Sequence, residues 1–320
     1  MSAVATSCTH LKRAGGLTRC LPAARPREVA GVTRFKAAAL QMRSGMDPAE
    51  NARAFEAMVR EAARLGASYV QSPEMTGALV RDRATLRKII RPQEEDSLAA
   101  TARRLAAELA ITVHLGSTPI ALADGKVANR AFLFGPDGAL VAIYDKIHMF
   151  DVDLDHGESW RESATYQPGG AAMVAELPLA SIGLAICYDL RFPQLFRAQA
   201  MAGAQVLTAP AAFTRQTGEA HWHVLTRARA IENGAWMIAA AQGGLHQDGR
   251  ETFGHSVIVD PWGGIAAEAE GDEPGIIVAD IDTEASTKAR AKIPNLRNGR
   301  DFAVEVAAAG ATAARRAAAS

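Results

Sequence analysis

The sequence predicts a single α/β domain built on a pair of mixed β-sheets. Three observations carry this. The 320 residues are 48% hydrophobic and 22% charged, the balance of a globular chain able to bury a sizeable core. Short apolar runs of strand length alternate with amphipathic segments of helix length, early and late in the chain, as in α/β folds. Between these lie apolar runs separated by turn signals, which read as hairpins and make the sheets mixed.

The elements follow in order. FKAAALQM (35–42) is a first strand. Residues 47–67 read as a helix: Asp47 can cap, Pro48 suits the first helical position, and Glu50 falls three residues after the cap. Phe55, Met58, Val59 and Ala62 share one face, and Gly66 ends the segment. SYVQS (68–72) is a second strand that delivers Pro73 and Glu74 at its C-terminal end. A helix over 97–109 leads to the strand ITVHLGS (111–117), and residues 126–149 read as a hairpin about Pro136-Asp137-Gly138. SIGLAIC (181–187) is a buried strand, followed by a helix over 191–203 closed by Gly203. QVLTAP (205–210), a helix over 219–234, and the strands AWMIAAA (235–241), HSVIVD (255–260) and GIIVADI (275–281) complete the set. The domain therefore spans 34–301, between a leader (1–33) and an Ala-rich tail (302–320).

Lys+Arg and Asp+Glu both total 35, so net charge gives no case for nucleic acid or an anionic membrane; a small neutral or mixed-charge partner fits better. No apolar run approaches the ~18–20 residues of a membrane span. The leader is Arg-rich, has no acid before Glu28 and lacks a secretory apolar region. It reads as a disordered extension or an early start, with organelle targeting the lesser alternative. Of the three cysteines, Cys8 and Cys20 lie in that leader, and only Cys187 lies in the body. That excludes a disulfide framework or a multi-cysteine zinc site there, and points to a reducing, cytoplasmic setting.

Cys187 ends an apolar strand and precedes a helical segment. Such a turn projects a side chain into a site and aims backbone N–H groups at it. A thiol of ordinary pKa, ~8.5, is only a few per cent ionised at neutral pH and needs a base or a cation nearby. Glu74 and Lys146 both sit at strand ends: the carboxylate can take the thiol proton, and the ammonium can hold an oxyanion. Any of eight histidines could be the base instead. Spacing does not bring these groups together.

The stretch after Lys146 also reads as a calcium loop, with Asp151, Asp153 and Asp155 alternating and Glu162 at the twelfth position. The template wants Gly at position six, where this chain has His156, and an apolar residue at position eight, where it has Glu158. It also wants a flanking helix where a strand is expected. The aspartates are better read as solvated or hydrogen-bonded loop residues. His221 and His223 look like a metal pair, but i and i+2 do not share a helical face. No serine-hydrolase elbow, dinucleotide fingerprint, P-loop or zincin motif occurs.

SPEMTG (72–77), YDKIHMFDVD (144–153), ICYDLRFPQLFR (186–197), the long segment 210–244 and GHSVIVDPWG (254–263) together resemble the nitrilase superfamily of carbon–nitrogen hydrolases. Within it the chain is similar to the Nit branch, whose amidases act on deaminated glutathione and on 2-oxo acid amides. The resemblance implies a four-layer αββα sandwich, a catalytic Glu74–Lys146–Cys187 triad, a second carboxylate matching Glu158, pairing into homodimers, and no metal or organic cofactor. It implies hydrolysis of a small linear carboxamide to a carboxylate and ammonia through a cysteine thioester. Hydrolysis of an N-carbamoyl compound or a nitrile is the alternative within the family, and a non-catalytic interaction protein the alternative outside it. On this reading the Tyr188 N–H joins Lys146 at the oxyanion. Arg191, Phe213 and Thr214 are candidate substrate contacts, with Arg191 more readily read as a structural partner of Asp189. Ser72 and Met149 depart from the family pattern and bear on local packing.

Overall fold

A computed structural model describes residues 33–155 and 159–306. The described residues as far as Leu296 belong to one compact unit. The sheets and the pocket belong to it. The expected leader, but for its last residue, and the tail from residue 307 lie outside the described residues.

The first half of the chain forms β1 (Arg34–Gln41), α1 (Pro48–Arg64), β2 (Tyr69–Gln71), α2 (Arg83–Ile89), α3 (Ser97–Leu109), β3 (Thr112–Ala121), β4 (Val127–Phe134) and β5 (Leu140–Asp145). Asp47 caps α1 by accepting from the Ala49 N–H, and Gly66, at φ +87°, turns the chain away. The second half forms a two-stranded ribbon, β6 (Asp151–Asp153) with β7 (Ser159–Arg161), then β8 (Met173–Glu176), β9 (Ser181–Leu184), α4 (Pro193–Met201), β10 (Val206–Thr208), α5 (Arg215–Asn233) and β11 (Trp236–Ala239). A small ribbon of β12 (Gly243–Leu245) and β13 (Glu251–Phe253) precedes β14 (Val257–Val259), β15 (Ile265–Glu268), β16 (Gly275–Asp282), α6 (Thr283–Lys292) and α7 (Asn295–Asn298).

Two six-stranded sheets result, ordered β16-β1-β2-β3-β4-β5 and β15-β14-β11-β10-β9-β8. Both are mixed: β1, β2 and β3 run parallel, as do β9, β10 and β11, while the outer strands are antiparallel. The period-2 alternation of strand side chains decides the layering. In the first sheet, Ala37, Ala39, Tyr69, Leu133 and Tyr144 join a core shared with the second sheet. Their neighbours Ala38, Leu40, Val70, Phe132 and Ile143 face a separate core with α1 and α3. Helices α4 and α5 cover the far side of the second sheet. The layers are therefore helix, sheet, sheet, helix, as the αββα expectation required.

Several elements differ from the sequence reading for physical reasons. Helix α5 starts at Arg215, four residues before the expected 219, because Thr214 caps it by accepting from the Thr217 N–H. Strand β9 stops at Leu184, and Cys187 opens a short 3₁₀ turn to Arg191. The ribbon strands β6 and β7 are three residues each, too short for a periodic signal.

Candidate active site

Three loop segments at the ends of strands from both sheets converge. Glu74 follows β2, Lys146 follows β5, and Cys187 follows β9. Their side chains meet in the interior, with Glu74, Lys146 and Cys187 only 4%, 2% and 7% exposed. The local backbone is tightly determined. Cys187 sits at φ +49° and Met75, next to Glu74, at φ +56°, a region costly for residues with a Cβ. Gly116 lets β3 pass beneath the Glu74 loop, since a Cβ there would lie 2.0 Å from the Ser72 carbonyl oxygen. Ser72 fits this buried place because its hydroxyl accepts from the Gly116 N–H and from the Thr76 hydroxyl.

The Lys146 Nζ donates to Glu74 Oε1 at 2.9 Å and to both oxygens of Glu162, at 3.0 and 2.9 Å. Asn129, on β4, donates to Glu74 Oε1 at 2.9 Å, and the Ala212 N–H donates to Oε2 at 3.0 Å. The Phe150 N–H donates to Glu162 Oε2. The Cys187 thiol lies beside Glu74. Burial alone would push the Glu74 carboxyl up, but the Lys146 charge, the neighbouring Cys187 thiol and the hydrogen bonds from Lys146 and Asn129 hold it below its usual range. Burial would neutralise Lys146, yet Glu162 and Glu74 keep its ammonium charged well past the ordinary lysine range. Burial, followed by the Glu74 charge, pushes the Cys187 thiol well up, so it rests protonated beside an ionised carboxylate.

The turn bearing Cys187 is held from three sides. Asp189 accepts from the Ile186 N–H at 2.9 Å, the Tyr144 hydroxyl at 2.7 Å and the His148 N–H at 3.0 Å, and pairs with His148 Nδ1 at 2.6 Å. Arg229 of α5 donates twice to the Leu190 carbonyl, at 3.0 and 2.7 Å. The expected ion pair between Asp189 and Arg191 does not form, because Asp189 points inward to Tyr144 and His148. Arg191 instead lies over the Phe213 ring at 5.4 Å and against His221 Nδ1 at 3.2 Å.

A cavity of about 290 Å³ opens onto Cys187. Of the residues singled out from sequence, Glu74, Lys146, Cys187, Tyr188, Arg191, Phe213 and Thr214 all line it. Tyr188 lies in the first turn of the 3₁₀ helix, where N–H groups have no intrahelical acceptor. Glu158 lies outside the described residues, and the carboxylate that meets Lys146 is Glu162. Glu162 was read only as the twelfth position of a calcium loop. It returns to the pocket because β6 and β7 fold back on each other. The loop aspartates meet separate partners: Asp151 accepts from Ser163, Asp153 pairs with Arg161, and Asp155 accepts from Gln216. Asn129 also went unnoticed. Its signal was a lone buried amide among the apolar residues of β4.

The cavity is also lined by Arg81, Arg83, Arg161, Arg191 and Arg250, and among the described residues its lining carboxylates are Glu74 and Glu162. Arg81 and Arg250 both lie over the Trp160 ring of β7, at 4.7 and 4.4 Å from its centroid. Tyr166 presents its hydroxyl to the same cavity, with only the Met75 sulfur, 3.9 Å away, as acceptor. Elsewhere, His221 and His223 do point apart, and Glu268 accepts from His223 and His255 in a group whose donor atoms lie within 4.8 Å of one another.

The carbon–nitrogen hydrolase family profile matches residues 36–291. The chain belongs to the carbon–nitrogen hydrolase family. Among relatives of this hydrolase, the deaminated glutathione amidase of Synechocystis sp. is 39% identical over 273 residues, which cover 82% of this chain and 97% of that protein. The crystal structure of Saccharomyces cerevisiae Nit3, a member of branch 10 of the nitrilase superfamily, superposes with a TM-score of 0.77 at 28% identity, covering 87% of this chain and all of that one. An amidase of Nesterenkonia sp. AN1, with the acetamide moiety of fluoroacetamide covalently added at its active-site cysteine, superposes with a TM-score of 0.70 at 25% identity, covering 83% of this chain and 94% of that one.

Proposed function

We propose that this hydrolase is an amidase using Cys187 as nucleophile, with deaminated glutathione or a similar 2-oxo acid amide as substrate. The observation that carries the reading is a buried, protonated thiol beside an ionised Glu74, itself fixed by Lys146. The substrate class rests on likeness to the Synechocystis enzyme.

In the first half-reaction the Cys187 proton passes to Glu74 as sulfur attacks the amide carbonyl carbon. The Lys146 ammonium and the Tyr188 N–H hold the oxyanion. The C–N bond then breaks, and the leaving nitrogen takes the proton back from Glu74, giving a thioester. A primary carboxamide releases ammonia; deaminated glutathione, whose amides are secondary, releases an amine fragment. In the second half-reaction Glu74 takes a proton from water, which attacks the thioester, and the proton returns to sulfur as the carboxylate product forms. Glu162 serves as the second carboxylate: it accepts from Lys146 beside Glu74 and keeps the ammonium charged. Phe213 and Thr214 shape the wall beside the acyl group, and Arg191 stands at the pocket rather than serving the turn.

Two further features complete the reading. Val224 and Ile231, one face of α5, with Trp262 and Ile265 beyond β14, are between 44% and 68% exposed, which favours pairing of two copies. No described helix is long and apolar enough to cross a membrane. A catalytic thiol needs a reducing setting, which favours the cytoplasm. The test is product release from 2-oxoglutaramate (ammonia) and from deaminated glutathione (its amine fragment), with Cys187→Ala as control. Turnover by the wild type and none by the variant is expected. Equal activity in both would overturn the nucleophile assignment, and no turnover by the wild type would favour a binding protein.

A further inference from the structure

Resting on the amidase reading, we propose that the mouth of the pocket is a carboxylate-recognition subsite, built by Arg250 and Arg81 around Trp160, that orients anionic amides with the scissile bond toward Cys187. The distribution of charge is the first argument. The floor holds two carboxylates, Glu74 and Glu162, against one ammonium, Lys146, so it repels an anion. Five arginines line the pocket, and among the described residues its lining carboxylates are Glu74 and Glu162, both beside Lys146. A substrate with a neutral amide at one end and a carboxylate elsewhere enters with its charge at the rim and its amide at the floor.

The unmet bonding capacity of these arginines is the second. Arg250 is only loosely paired, its Nη2 standing 3.6 Å from the Asp248 carboxylate, beyond hydrogen-bonding range. Among the described residues, no carboxylate lies within ion-pair distance of Arg81, which lies over the indole. Both guanidinium groups lie over the Trp160 ring, and a guanidinium offers the planar, two-point hydrogen bonding that carboxylates accept. Arg161, by contrast, is occupied by Asp153.

The test uses Cys187→Ala protein, which separates binding from turnover. The Kd of deaminated glutathione and of its dimethyl ester would be measured by calorimetry in that background, then with Arg250→Met or Arg81→Met added. The ester is expected to bind about 10- to 100-fold more weakly, the scale of hydrogen bonds to a charged group. The preference for the free acid is expected to shrink at least about tenfold with Arg250→Met and by less with Arg81→Met. Equal affinity for acid and ester, or a preference undiminished in both variants, would overturn the proposal. Failure of wild-type protein to hydrolyse either compound would instead sink the amidase reading, since the binding preference does not depend on turnover.

Discussion

Two of the polar clusters buried in this fold behave differently. In one, on β2 and β3, the Tyr69 hydroxyl and the Gln71 amide meet His114 Nδ1 at 2.8 and 3.3 Å, and Gln71 Oε1 accepts from the Ala240 N–H to tie the two sheets together. None of its members is charged: burial pushes His114 down to about 3 and holds the Tyr69 hydroxyl far above its usual range. In the other, Glu74, Lys146 and Glu162 are ionised or paired, Cys187 rests as a thiol, and the group opens onto a cavity. Buried polarity alone therefore does not mark a site. Buried charge, retained against desolvation and facing a cavity, does.

This contrast can be broken or sharpened by mutation. Cys187→Ala should lower kcat/KM by about 10⁴-fold or more, the scale for loss of a nucleophile that works with its partners as a unit, while the protein stays folded by circular dichroism. Glu74→Gln, which keeps the shape and removes the base, should cost about 10²- to 10⁴-fold in turnover. Lys146→Met leaves Glu74 and Glu162 as buried, uncompensated carboxylates, so denaturant titration should show a loss of about 3–5 kcal/mol. Tyr69→Phe should cost about 1–2 kcal/mol by the same measurement, with turnover within about twofold of wild type. A large loss of activity in that variant would erase the distinction between the clusters.

The smallest effect is in the pH dependence of stability, and its sign differs from group to group. His114 is depressed in the fold, so the unfolded chain binds more protons, and stability should fall as pH drops from ~6.5 toward the folded value. Glu74 is also depressed and adds to this only below ~4.3. Cys187 and Lys146 are raised, so their contributions are complete at low pH and are lost as pH rises, Cys187 from ~8.5 and Lys146 from ~10.4. Thermal melts across pH should show His114→Gln weakening the acid limb and Cys187→Ala removing the onset near pH ~8.5.

The strands and helices were legible from local signals, but only the family resemblance joined Glu74, Lys146 and Cys187 into one site, because nothing in their spacing does. Apolar strands announced the layers, and Glu74, Lys146 and Cys187 each stand just past one. The second carboxylate was not legible. That Glu162 returns to Lys146 depends on how β6 and β7 pair, and three-residue strands leave no periodicity to read. The pair of arginines about Trp160 was hidden for another reason: Arg81 and Arg250 are brought together only by long-range packing, and each alone looks like a solvated surface residue. Asp189 misled in the same way, since its neighbour in sequence, Arg191, is not its partner in space.

The central claim is that Cys187 carries the acyl group while Glu74 moves the protons. Rapid-quench mass spectrometry of wild-type protein with 2-oxoglutaramate tests it most directly. The account predicts a transient adduct equal to the substrate less ammonia, on the peptide containing Cys187, formed far more slowly in Glu74→Gln. Ammonia release with Cys187 unmodified at every time point, in a protein whose Cys187→Ala variant remains active, would contradict it.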